Sequence, residues 1–234
     1  MKMLRKFLGI FFSCLSCLFA SLCIGLYFRS EFSDVFFIKP FFRVLIMICA
    51  CVGIYLAARV SGKILFPEKR RDLLRAAFSC SFALYLILLV NFLFFESSFS
   101  RGYGLIFLQS HETISYYLDN FLNVEPFSMI RRYFHGYSIG TVSLNNFLMN
   151  IAGNFVLFMP FSFFLPIFYK KQNNFLIFFF TVALTSATAE VLQVLFMMGT
   201  GDIDDLIMNT VGACVLFVLL HTGVGKNIVD FVRK

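Results

Sequence analysis

Six runs of predominantly apolar residues dominate this chain, at about 7–28, 41–60, 76–95, 146–168, 175–198 and 205–222. Each is close to the ~20 residues that carry an α-helix across a ~30 Å hydrocarbon core. A chain in lipid must pair its own backbone groups, so only helices or a closed barrel can span. These runs are continuous rather than alternating, which selects helices. The expected fold is therefore all-α, a polytopic membrane bundle of about six transmembrane helices. Composition agrees: 59% of residues are hydrophobic, 14% are charged, and mean hydropathy is +0.83. Too few polar side chains remain to cover a water-facing surface, which excludes a soluble globular protein.

The seven cysteines, at 14, 17, 23, 49, 51, 80 and 214, all fall within these runs. A disulfide framework would place them in exposed loops, so they read as small buried residues. Cys14 and Cys17 have CxxC spacing but no partner ligands, and take no redox or metal role. The basic start "MKMLRK" precedes an uncharged stretch from Phe7 to Phe28, longer than the ~7–15 residues of a signal-peptide core. It reads as a retained first span.

Most of the 20 Lys and Arg residues then fall on one side. Lys2, Arg5 and Lys6, the segment 59–75, Lys170 and Lys171, and Lys226, Arg233 and Lys234 share that side, which the positive-inside rule makes cytoplasmic. Both termini are expected in the cytoplasm, and the chain in the cytoplasmic (plasma) membrane as a multi-pass protein. "GKILFPEKRRDLLR" (62–75) reads as a topology anchor near anionic lipid. No nucleic-acid partner is expected. The division is 1–95, three spans; 96–145, an extracytoplasmic loop; 146–222, a three-helix membrane core; and 223–234, a cytoplasmic tail. At about 50 residues the loop exceeds a simple connector. Within it "HETISYYLDNFL" puts Ile114, Tyr117, Leu118, Phe121 and Leu122 at helical spacing, predicting a short amphipathic helix on the outer leaflet.

The core concentrates its polar residues. Asn150 and Asn154 share one face of the fourth span, Glu190 and Gln193 one face of the fifth, and Asp205 and Asn209 one face of the sixth. Thr185, Ser186 and Thr188 lie within two turns of Glu190. Pooled, they predict a polar pocket open to the extracytoplasmic side. Glu190, roughly 10 Å below the hairpin by helix rise, is the costliest member. A charge at a helix centre costs about 2.5–3.5 kcal/mol on insertion scales. Either it serves function or it glues helices as a hydrogen-bonded group. "GTGDIDD" (199–205) adds Asp202 and Asp204, of which at least one is explained by capping the sixth helix. No Lys or Arg lies between Gln172 and Gly225, so the nearest bases are Arg131 and Arg132 of the loop. Their pairing with the hairpin acids would draw the loop over the pocket as a lid. A divalent cation at Asp202, Asp204 and Asp205 is the alternative. His111, His135 and His221 read as surface or structural histidines, Met197 and Met198 as core filler. Pro160 and Pro166 are expected to kink or break the fourth span, and Gly153 and Gly212 to allow close helix approach.

Three blocks resemble the VanZ-like membrane proteins: "NVEPFSMIRRY" (123–133), "NNFLMNIAGNFVLFMPFSFFLP" (145–166) and "AEVLQVLFMMGTGDIDDLIMNTVGA" (189–213). The likeness covers roughly 120–222 and leaves the first three spans as a variable N-terminal half. Glu125 stands where an apolar residue is common, Phe161 and Ser162 where a glycine follows the proline, and an arginine frequent in the hairpin is missing. The resemblance implies a cell-envelope role and reduced susceptibility to teicoplanin-like glycopeptides, with glycopeptide or a lipid-linked wall precursor as partner. Two other readings stay open. One is an enzyme on a lipid-linked envelope precursor, with Glu190, Asp202, Asp204 and Asp205 catalytic and Arg131, Arg132, Asn150, Asn154, Gln193 and Asn209 binding substrate. The other is a proton-coupled small-molecule carrier titrating at Glu190.

Overall fold

The computed structural model describes residues 2–32, 40–95 and 105–222. The expected cytoplasmic tail at 223–234 and the start of the long loop lie outside them. The described chain is almost entirely helical, and six of its helical segments are long and apolar enough to cross a membrane. These are Lys6–Arg29, Phe42–Ile64, Pro67–Phe95, Leu144–Phe168, Phe175–Phe196 and Ile203–His221. Large apolar side chains stay uncovered along them, among them Leu22, Ile48, Phe180, Leu184 and Leu219. Only an apolar solvent can cover such surfaces at no cost.

Two compact units make up the structure, one ending at Leu88 and the other beginning at Leu89. In the first, α1 (Lys2–Phe32) and α2 (Pro40–Ile64) run antiparallel in close contact. Small residues set that closeness: a Cβ on Gly53 would meet Ala20 Cβ at 3.1 Å and Ser16 O at 3.2 Å. Further along, Ser61 Oγ donates to Ser13 Oγ at 2.8 Å. A 3-10 turn at Pro67–Lys69 leads into α3 (Arg70–Val90), which continues as a π-turn through Phe95.

In the second unit the long loop is structured. α4 (His111–Phe121) is capped by Ser110, whose Oγ accepts Thr113 N at 3.3 Å. The amphipathic helix expected here forms, but it stops one residue short. Leu122 belongs instead to β1 (Leu122–Asn123), which pairs in parallel with β2 (Gly201–Asp202). α5 (Ser128–Ser138) follows. Then come α6 (Leu144–Leu157) and α7 (Phe161–Phe168), separated at Pro160, whose ring and missing N–H end the helical ladder there. Pro166 is accommodated inside α7. α8 (Phe175–Phe196) starts on an Asn174 cap and ends at Met197, which is left-handed at φ +50°.

α9 (Ile203–His221) is the hub of this unit and packs against α6, α7 and α8. A Cβ on Gly212 would lie 1.7 Å from Phe155 O, so only glycine permits the α6–α9 crossing. Gly153, expected to serve likewise, faces open space. Ser162, at the position where glycine was anticipated, is fully buried and donates to Ala213 O at 2.7 Å. Phe217 stacks on Phe178 at 4.4 Å and on His221 at 3.9 Å. The expectation of uniformly buried cysteines fails: Cys14, Cys17 and Cys80 are exposed, because they lie on helix faces that no protein covers.

Candidate functional site

The hairpin between α8 and α9 is where the acids meet. Met197 and Gly199 both take positive φ, +50° and +81°, and so turn the chain sharply back. The turn brings Asp202 within reach of the Glu190 side chain. The Asp202 N–H donates to Glu190 Oε2 at 2.9 Å. Asp202 is also the N-cap of α9: Oδ1 accepts Asp204 N at 2.8 Å and Asn123 Nδ2 at 2.8 Å. The β1–β2 pairing sets Asn123 opposite Asp202 and makes that contact register-specific.

Asp204 does something the sequence did not disclose. It is 1% exposed. Its carboxylate accepts the backbone N–H groups of Phe127, Met129 (2.8 Å) and Ile130 (3.1 Å) at the start of α5. A residue of α9 therefore supplies the cap for a helix some 75 positions earlier, where negative charge also complements the helix dipole. Phe127 takes φ +65° to bring its N–H into that arrangement. Asn123 completes the clasp by accepting Glu125 N at 3.3 Å and Ser128 Oγ at 2.7 Å.

The expected arginine pairing is thereby corrected. Arg131 Nη2 reaches Glu125 at 2.5 Å within the same loop, and both side chains are exposed. Backbone amides, not guanidinium groups, tie the loop to the hairpin. Arg132 is exposed and makes no ion pair among the described residues, though its charge acts on Asp202 and Tyr133. An amide cradle aimed at a buried carboxylate needs no base, so Asp204 persists without one.

Asp205 receives a hydrogen bond from Asn154 Nδ2, linking α9 to α6. Asn209 Nδ2 donates to Ser186 Oγ at 3.1 Å, linking α9 to α8. Glu190 has Asp205 and Asp202 as its charged neighbours. Glu190, Asp202, Asp205, Asn154 and Asn209 thus gather around the top of α9. The others go elsewhere. Asn150 bonds its own helix at Asn146 O, 2.8 Å, and Gln193 Nε2 donates to Leu93 O at 2.9 Å. Thr185 and Thr188 are exposed and bond back to carbonyls one turn earlier.

Sequence reasoning missed three residues. Asn123 and Ser128 form the clasp, and Tyr133 of α5 lies within electrostatic range of Asp205 and Asp202. Tyr133 is half-buried; burial pushes its phenol up, and the Asp205 charge acts in the same direction. Burial likewise pushes the Asp202 carboxyl above its ordinary value, against the pull of the Asp204 N and Asn123 hydrogen bonds. Tyr117 was noticed only as an apolar position. It is fully buried, and its hydroxyl donates towards Gly199 O at 3.2 Å and Gln193 O at 3.4 Å, seating α4 on the hairpin. Among the described residues no three His, Cys, Asp or Glu side chains are disposed to hold a metal ion, so the divalent-cation alternative has no geometric support.

A family model described as VanZ/LLP1 matches residues 82–224. No curated protein and no solved structure matches the chain.

Proposed function

Because this chain belongs to the VanZ/LLP1 family, we propose that it acts at the extracytoplasmic face of the cytoplasmic membrane and lowers susceptibility to teicoplanin-like glycopeptides. The working site is the acid cluster beneath the α4–α5 cover. One observation carries the assignment. Glu190 of α8 and Asp205 of α9 act on each other electrostatically, and each spends only one oxygen on the fold. A carboxylate kept at membrane depth for packing alone would be expected to satisfy both. Asp202 and Asp204, by contrast, hold the architecture. Orientation follows from the charge bias, which puts the hairpin outside and both termini in the cytoplasm.

The expected outcome of Glu190→Gln is full-level membrane accumulation with lost glycopeptide tolerance. Gln keeps an oxygen for Asp202 N, so the hairpin survives. Normal tolerance at normal abundance in that variant defeats the proposal.

An enzymatic reading draws on one further observation. The Arg132 charge acts on Asp202 and Tyr133, and the Asp202 and Asp205 charges act on Tyr133. That arrangement suits general acid–base chemistry on a phosphate- or carboxylate-bearing envelope precursor, with Glu190 as the proton carrier and Arg132 at the anion. Turnover of a lipid-linked precursor by the purified protein, lost in Glu190→Gln, separates it from a purely binding role.

A further inference from the structure

We propose that a groove between α8 and α9 binds an anionic phospholipid of the leaflet next to Lys170 and Lys171. One acyl chain lies in the groove, and the headgroup phosphate sits against the two lysines. The proposal is independent of the acid cluster, which lies at the other end of the same helices.

The groove has a volume of about 590 Å³, and no charged residue lines it. Thr210, buried, and Cys214, half-buried, stand four apart on α9 and form its floor. Leu176, Val215 and Leu219 stay exposed and form its rim. Small residues between large ones leave the surface hollow here. Along α9 the lining runs from Thr210 to Leu219, about 14 Å at 1.5 Å per residue. Along α8 it takes only Phe175, Leu176 and Phe179, at the start of the helix. The groove is thus about half as long as a ~30 Å hydrocarbon core is thick. A transmembrane helix packs along the whole core; a groove one leaflet deep matches a single acyl chain.

Two contacts fix which end of the groove meets the leaflet surface. The Phe175 and Phe217 ring centroids are 5.9 Å apart, and Asn173 Oδ1 lies 3.4 Å from His221 Nε2. The 3-10 turn Lys170–Asn173 therefore sits at the Leu219 end. Both of its lysines are exposed, and neither makes an ion pair among the described residues. The sequence has no acid between Glu125 and Glu190, nor between Asp205 and Asp230. The two positive charges also precede the N-terminus of α8, where the helix dipole favours an anion. A basic cluster beside a groove between membrane helices is the arrangement that holds acidic lipid headgroups. Tyr169, exposed beside Lys170, suits the same interface.

The test uses the full chain in detergent, titrated with phosphatidylglycerol or with phosphatidylcholine of identical acyl chains and read by thermal unfolding. Phosphatidylglycerol should stabilise at about tenfold lower concentration or less. Lys170→Gln combined with Lys171→Gln should bring the two titrations together. Cys214→Phe, which fills the floor, should move both to higher concentration. Leu184→Phe, on an exposed face outside the groove, should move neither. In nanodiscs, benzoylphenylalanine at position 215 should attach to lipid on irradiation. Equal titrations in the parent, a preference that survives in the lysine variant, or unmoved titrations in Cys214→Phe would each overturn the proposal. Attachment to a second copy, or to residues 2–88 of the same chain, gives the groove to a protein helix and overturns it too. The lysine variant changes only exposed side chains, so it decides the matter even if Cys214→Phe does not fold.

Discussion

Two aspartates of one hairpin, Asp202 and Asp204, have opposite sensitivities to substitution. Asp204 accepts three backbone amides of α5 from inside the protein. Asp204→Ala strands those donors, and a loss of about 3 kcal/mol or more is expected. Asp204→Asn should lose most of the same amount, because half of its amide is a donor facing donors. Thermal unfolding in detergent measures both, and a midpoint unchanged in either refutes the cap. Asp202→Asn keeps the oxygen that accepts Asp204 N and Asn123, so near-neutral stability should change little. Its effect lies in pH. Burial holds the Asp202 carboxyl above its ordinary value near 3.8, so the folded protein binds that proton more tightly than the unfolded chain. The stability contributed is complete below the unfolded value and is lost as pH rises through the folded one. Over the acidic range above about pH 4 the unfolding midpoint should therefore fall more gently with rising pH in Asp202→Asn than in the parent. An identical slope removes Asp202 from the account.

At the scale of elements, α9 is held at two levels, by Asn154 on Asp205 and by Phe155 against Gly212. Gly212→Ala drives a methyl into a backbone carbonyl, which cannot rotate away. A cost at or above the ~1–3 kcal/mol of overpacking is expected. Gly153→Ala meets nothing within 4 Å and should be neutral or stabilise by up to about 1 kcal/mol. Unfolding midpoints of the pair check the contrast, and equal effects would dismiss the crossing. Both glycines look alike in sequence, since each sits in an apolar run with helical neighbours. Spacing gives the face on which a glycine lies, not what approaches it. The α4 helix shows the same boundary: its periodicity was visible, but Leu122 left it for a parallel pairing with Gly201 that no local pattern announces.

For the whole molecule, the charge bias orients every span once one is oriented. In a cysteine-free background, Thr200→Cys should react with an impermeant maleimide from outside intact cells, and Lys170→Cys only after permeabilisation. The reverse pattern would put the acid cluster on the cytoplasmic side and sink its envelope role. The six spans, the absence of a soluble core and the capping role of an aspartate before α9 were legible in sequence. Each follows from local hydropathy, or from free N–H groups a few residues away. The Asp204 cap on α5 and the Asn123 clasp were not. They depend on which segments a turn at Met197 and Gly199 brings together, and nothing within a few residues of either partner encodes that. Sequence alone settled the solvent each helix would meet, because transfer of a side chain into lipid depends on that side chain. Only the tertiary structure decided which acids are spent on the fold and which keep an oxygen free, because a hydrogen bond needs its donor within about 3 Å.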